Sequence, residues 1–302
     1  MAPVDHYLAI DIGGTKLAAA IVTGDGQVIH HREVPTPTAT QEQAHLVTGA
    51  LTELAADVAG ELPLAGVGIA SAGPIDTARG TISPVNIPAW RDFDIVDAVS
   101  DAVGGPDPVL IHDSTAAALG EHWLGAGRGS NALLGIVVST GIGGGLVLDG
   151  RPLSGSAGNA GFIGHLTADP AGERCACGRT GCVETGASGP AMVRWAHANG
   201  WTGHSTPELA EAAAAGDRIP VAAFRRGTDH LATGIITATI LLDLDLVVIA
   251  GGVSAAGEVL LTPLREAVSR DSTPALRKLR IRRATLGRHS GLIGAARHAQ
   301  GH

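Results

Sequence analysis

The sequence is poor in charge, thiols and long apolar runs, and each shortage removes a class of protein. Charged residues make up 17% of the 302 and the formal net charge is −8, so no basic face is expected for gripping nucleic acid. Nucleotide binding survives that exclusion, because backbone N–H groups can carry it. The most apolar stretch, 231–250, is broken by Asp243 and Asp245, whereas a membrane span needs about 18 or more consecutive apolar residues. It reads instead as a buried helix over 231–242 and a buried strand over 244–250. The opening MAPVDHYLAI has no basic segment ahead of an apolar one, so no export signal and a cytoplasmic location are expected. The three cysteines all fall between positions 175 and 182. Such clustering favours a metal over disulfides.

What the chain has is glycine, 43 residues of it, gathered in short turns rather than a collagen-like period. Two segments use the same device. Over 7–10 an apolar strand enters Asp11-Ile-Gly-Gly-Thr-Lys16; a second strand (17–22), a turn at Asp25-Gly26 and a third strand (28–31) follow. Over 133–138 another strand enters Ser139-Thr-Gly-Ile-Gly-Gly-Gly145, followed by a strand (146–148) and an Asp149-Gly150 turn. Strand, glycine turn, strand and Asp-Gly hairpin thus recur about half a chain apart, which suggests two related halves facing one another. Helix and strand patterns alternate around them, as in α/β domains. An amphipathic helix is expected over 41–61, and buried strands over 64–70 and 109–112. Further helices are expected over 114–124 (capped by Ser114 or Asp113), 207–215, 263–270 and 291–299. The domains are expected to be 1–118 with 290–302, and 119–289.

Three motifs carry chemistry. In the first glycine turn, Gly13 and Gly14 let several N–H groups approach an anion, Thr15 adds a hydroxyl, Lys16 a charge and Asp11 a carboxylate suited to Mg²⁺. The glycine spacing fits neither a P-loop nor a dinucleotide fingerprint. Thr140–Gly145 is a second such turn and Gly251-Gly252 a third. Asp113 ends an apolar strand and precedes a helix, where a carboxylate can accept a proton from an attacking hydroxyl. His165, Cys175, Cys177 and Cys182 offer one nitrogen and three sulfurs, a full tetrahedral set for structural Zn²⁺ with no position left for a catalytic water.

These motifs, in this order and over nearly the whole chain, resemble the ROK family of sugar kinases and repressors. The resemblance rests on the two phosphate turns, Gly68–Asp76 (GIASAGPID), Asn86-Ile-Pro-Ala-Trp90 and Ala116–Glu121 (AAALGE). It rests also on the Gly164-His165 and CACGRTGC block with Glu184-Thr-Gly-Ala-Ser, and on the pair Gly251-Gly252. It implies a two-domain α/β, actin-like ATPase (ribonuclease H-like) fold with an interdomain cleft. It further implies transfer of the γ-phosphoryl group of ATP to a primary hydroxyl of a hexose, with Asp113 as general base and Asp11 associated with Mg²⁺. Thr140, Gly141, Gly251 and Gly252 join Asp11–Lys16 on the nucleotide side. Gly73, Asn86, His165 and Glu184 would contact the sugar. The family's proteins are commonly dimers or higher oligomers, so a homo-oligomer is expected, with no nucleic-acid or membrane partner.

The departures fall in the sugar pocket. His112 stands where the family usually has Asn, Phe162 where it has Glu, Thr115 where a second Asn is common, and Gly186 where a Tyr is common. Imidazole and phenyl remove hydrogen-bond acceptors, and an unpaired sugar hydroxyl costs about 1–3 kcal/mol. A modified hexose is therefore expected ahead of glucose; kanosamine and N-acetylmannosamine are precedents. The alternatives are a ROK protein that binds sugar with little or no turnover, and a transcriptional regulator. The latter is disfavoured because the first phosphate strand begins at Tyr7, leaving no room for a preceding DNA-binding domain.

Overall fold

The apolar runs between glycine turns fold as strands. A computed structural model describes residues 5–301; the other positions, which include part of the opening segment read for an export signal, lie outside the described residues. In chain order the elements begin β1 (His6–Ile12), β2 (Lys16–Thr23), β3 (Val28–Pro35), α1 (Ala44–Ala59), β4 (Gly66–Ser71), β5 (Ile75–Asp76) and β6 (Thr81–Ile82). They continue with β7 (Phe93–Asp94), α2 (Ile95–Val103), β8 (Val109–His112), α3 (Asp113–Leu124), β9 (Ala132–Val138), β10 (Ile142–Leu148) and β11 (Arg151–Pro152). The last are α4 (Val183–Ala187), α5 (Gly189–Ala198), α6 (Thr206–Ala214), α7 (Arg218–Leu242), β12 (Leu246–Ala250), α8 (Glu258–Ser269), β13 (Arg280–Arg283) and α9 (Ser290–Ala299). Among the described residues no helix is long and apolar enough to cross a membrane.

The repeated device gives two sheets of one design. The first has the order β3-β2-β1-β4-β8 and the second β11-β10-β9-β12-β13. In the first, β1–β2–β3 is an antiparallel meander, and β4 and β8 run parallel to β1. In the second, β12 runs parallel to β9 and β13 parallel to β12. The Asp149-Gly150 turn has φ 49° and 76°, the two positive values a two-residue hairpin turn demands. A third sheet, β5-β6-β7, is small.

The chain divides into two compact units, one of residues 1–128, 145–160 and 288–302, the other of 129–144 and 161–287. The boundary expected near 118 lies inside α3, which the first unit keeps whole. Within that unit Leu8, Ile10 and Ile12 of β1 and Leu17, Ala19 and Ile21 of β2 point to one face. There they meet Val47, Leu51, Leu54 and Val58 of α1 and the buried Trp90. The period-2 and period-3.6 patterns share one core. Asp11 and Ala18, which are register partners, belong to the opposite face, where α9 packs.

Some boundaries differ from expectation. The segment expected as one helix over 41–61 opens with a 3-10 turn, Gln41–Gln43, before α1. The helix expected over 231–242 is the second half of α7, and its end is wet: Leu241 is 78% exposed. α8 starts five residues before Pro263 and carries that proline inside. The N-cap of α3 is neither Ser114 nor Asp113 but His112.

Candidate active site

In the first unit the expected residues gather at one edge of the sheet. Ile12, Ser71 and His112 are register partners across the parallel strands β1, β4 and β8. The C-terminal ends of these strands therefore deliver Asp11, Gly73 and Asp113 to the side where an α/β sheet exposes functional groups. Ala72 N–H donates to the Ile12 carbonyl at 3.1 Å, and Val85 N–H to that of Gly73 at 3.2 Å. The second bond brings Asn86 up to the first glycine turn, where a β-carbon added to Gly14 would stand 2.6 Å from the Asn86 side chain. The turn is closed on itself, with Gly13 N–H donating to the Lys16 carbonyl at 3.0 Å. The N–H groups of Gly14 and Thr15, and the Thr15 hydroxyl, are of the kind that can bind an anion. Lys16 pairs with Glu33 at 2.8 Å, a partner on the adjacent strand β3 that no motif indicated.

Two carboxylates share this edge. A β-carbon on Gly291, at the start of α9, would lie 2.7 Å from Asp11 Oδ2, so the helix closes over Asp11. Burial, then the charge of Asp113, push the Asp11 carboxyl up to about 7, against the pull of Lys16. Burial and a like charge disfavour the ionised form of this carboxyl, and a divalent ion bound by oxygens is one group that would offset them.

Asp113 is fixed through one oxygen. Its Oδ1 accepts from Ser114 N–H and, at 3.0 Å, from Ser114 Oγ–H, and it lies 3.1 Å from His112 Nδ1. The His112 side chain is 6% exposed, and burial holds its imidazole below the usual histidine range while Asp113 pulls the other way. Ser114 N–H also lies 3.4 Å from His112 Nδ1, so it is shared between the imidazole, which caps the helix, and the carboxylate. None of these contacts falls on Oδ2.

In the second unit Ala250 is the register partner of Val137, which sets the third glycine turn beside the second. Gly251 has φ 86°, and a β-carbon there would strike the Val138 carbonyl. Only glycine allows that approach. Thr140 and Gly252 line one cavity of about 440 Å³ with Pro190, Thr206, Pro207 and Val253. Thr206 and Pro207 carried only a helix-start signal in the sequence.

Glu184 lies in α4, two residues after Cys182, and its Oε2 accepts from Ile142 N–H at 2.8 Å. Phe162 and His165 stand edge to face, 6.1 Å between ring centres. The space a larger residue at Gly186 would need is filled by the His230 ring, itself held by the Arg226 carbonyl at 3.0 Å.

The ligand atoms of His165, Cys175, Cys177 and Cys182 lie within 4.8 Å of one another. Cys175 Sγ is 3.7 Å from His165 Nδ1 and Cys177 Sγ 3.6 Å from Cys182 Sγ. A zinc tetrahedron with ordinary bond lengths has edges of about 3.6 to 3.8 Å; these two distances match it, and the four groups are of the right chemistry and close enough to gather around one ion. Without a cation, burial and the neighbouring thiols push Cys182 up to about 12; a dication reverses that.

The pattern of the ROK family matches residues 7–302. The chain is 34% identical to a glucokinase of Halalkalibacterium halodurans, over 95% of this chain and 93% of that one. It is also 34% identical to an N-acetylmannosamine kinase of Yersinia pseudotuberculosis, over 96% of each. Its structure resembles that of a ROK family glucokinase from Streptomyces griseus in complex with glucose and AMPPNP. The TM-score is 0.84 and the identity 32%, over 98% of this chain and 100% of that one. Glycine turns at matching strand ends of two like-ordered sheets, and a family match over nearly the full length, lead to one conclusion: the chain belongs to the ROK family and has the actin-like ATPase fold.

Proposed function

We propose that this ROK sugar kinase moves the γ-phosphoryl group of ATP to the 6-hydroxyl of a hexose, and that it prefers a modified hexose, such as an amino or N-acyl sugar, to glucose. The observation that carries the reading is Asp113, held at the end of β8 through Oδ1 alone. Oδ2 is then the oxygen to take the hydroxyl proton. As the O6–H bond breaks, O6 bonds to the γ-phosphorus and the bond to ADP breaks, leaving the proton on Asp113. Little else is needed beyond positioning and charge.

The two glycine turns are assigned to the phosphates, and the cavity at Thr140 and Gly252 to the nucleoside. Asp11 is assigned to hold Mg²⁺, which when bound neutralises phosphate charge. Gly73, Asn86, His165 and Glu184 are assigned to the sugar. With Nδ1 facing Cys175 across the proposed zinc position, His165 keeps Nε2–H as the donor to a sugar hydroxyl. The preference for a modified hexose rests on Phe162 and His112. A phenyl ring offers a hydroxyl no lone-pair acceptor, and His112 Nδ1 is taken up by Ser114 N–H and Asp113.

A panel of hexoses, amino sugars and N-acyl sugars, assayed with ATP and Mg²⁺, tests this. Highest efficiency on glucose would contradict the modified-sugar reading, and no turnover of any sugar would contradict the kinase reading for this chain.

A further inference from the structure

We propose that Glu184 is a positioning residue for the nucleotide, its carboxylate holding the second phosphate turn and tying that turn to the cysteine-rich loop. The inference rests on the nucleotide assignment above and lies wholly within the second unit.

The turn Ser139–Gly141 is short of local support. It closes with one internal bond, Ser139 N–H to the Gly141 carbonyl at 2.9 Å. The next N–H, that of Ile142 at the start of β10, goes not to another strand but to Glu184 Oε2 at 2.8 Å. The approach is so close that a β-carbon on Gly141 would lie 2.6 Å from the same oxygen. On the other side of the turn, Gly189 N–H, at the start of α5, donates to the Ser139 carbonyl at 3.0 Å. The helices α4 and α5 therefore grip the turn at both ends, one through a side chain and one through the backbone.

Glu184 is itself aimed from the cysteine loop. Cys182 is the N-cap of α4, its carbonyl accepts from Thr185 Oγ–H at 2.7 Å, and Val183 N–H donates to the Leu166 carbonyl at 2.9 Å. The neighbouring segment also touches β10, since a β-carbon on Gly144 would meet the Ile163 side chain at 2.8 Å. The path runs from Cys182 through Val183 to Glu184 Oε2, and then to the backbone of the phosphate turn. Oε1 takes no part in it and is the oxygen left for a sugar hydroxyl.

A purely sugar-binding Glu184 and a turn-holding Glu184 differ when no sugar is present. The test is calorimetric binding of Mg·ADP, without sugar, to the full chain and to E184A, E184Q, G141A and E184A/G141A, each checked for folding by its thermal midpoint. We expect E184A to bind Mg·ADP at least about 10-fold more weakly, the loss of a charge-assisted hydrogen bond. E184Q keeps an acceptor for Ile142 N–H and should stay within about 3-fold of wild type. G141A displaces the carboxylate, so its effect and that of E184A should fail to multiply in the double variant. Should E184A not fold, G141A against E184Q carries the comparison. Wild-type Mg·ADP affinity in E184A, or fold-changes that multiply in the double variant, would overturn this inference alone. Failure of the wild type to bind Mg·ADP would overturn the nucleotide assignment as well.

Discussion

Asp11 makes the stability of the ligand-free chain depend on pH in a direction opposite to that of an ordinary paired carboxylate. Its pKa is lifted from 3.8 to about 7, by burial first and by Asp113 second, with Lys16 opposing. The folded chain therefore keeps a proton that the unfolded chain releases. The stability this group supplies is whole below its unfolded value and is lost as pH climbs through about 7. A shift of about 3 units corresponds to at most about 4 kcal/mol. Asp11 retains some contact with solvent, which reduces the penalty, and about 2 kcal/mol is the working figure. Asp11→Asn removes the charge and keeps the shape. In urea unfolding with a chelator present, the variant should already exceed the wild type at pH 5, and the gap should widen to about 2 kcal/mol at pH 8. Adding Mg²⁺ at pH 8 should raise the wild type and leave the variant unmoved. If the variant loses as much stability as the wild type between pH 5 and 8, the account of Asp11 is wrong.

Two further outcomes follow from groups near this edge and in the cysteine loop. Thr115 Oγ1 is buried without a partner, so Thr115→Val should stabilise the chain by about 1 kcal/mol; a lowered thermal midpoint would mean that the hydroxyl is bonded. Metal analysis of freshly purified protein should find close to one zinc per chain, falling to about a tenth of that in Cys177→Ser. Zinc absent from the wild type would remove the tetrahedral site.

Much of this arrangement was legible in the residues because it depends on short-range rules. Apolar runs ending in glycine turns announced β1, β2, β9 and β12, and the Asp-Gly pair announced the hairpin at Asp149. The strand 109–112 ending at Asp113 matches β8 residue for residue. The thiol spacing pointed to a cluster, and the fold brings its four ligand atoms within 4.8 Å of one another. What stayed hidden depends on contacts distant in sequence. Asn159 accepts from Ile75 N–H at 2.9 Å and donates to the Ile75 carbonyl at 2.7 Å, and nothing in either segment signals its partner. Glu33, which takes Lys16, reads as one charge on an edge strand. The bond from Ile142 to Glu184 spans 42 positions. The strands β5, β6 and β7 are two residues each, too short for an alternation to show. The first half of α7 carries Pro220, Arg225, Arg226 and Gly227, which mask the helical period that packing against its neighbours restores.

In the proposed reaction Asp113 is the group on which the chemistry turns. The most direct measurement is rapid-mix transfer of labelled γ-phosphate from ATP to the best acceptor of the sugar panel, by the wild type and Asp113→Asn, with sugar affinity measured alongside. The account predicts transfer slowed by about 100-fold or more in the variant, the usual scale for a lost general base, with sugar affinity changed by less than about 5-fold. Transfer at the wild-type rate with Asn at this position would contradict it.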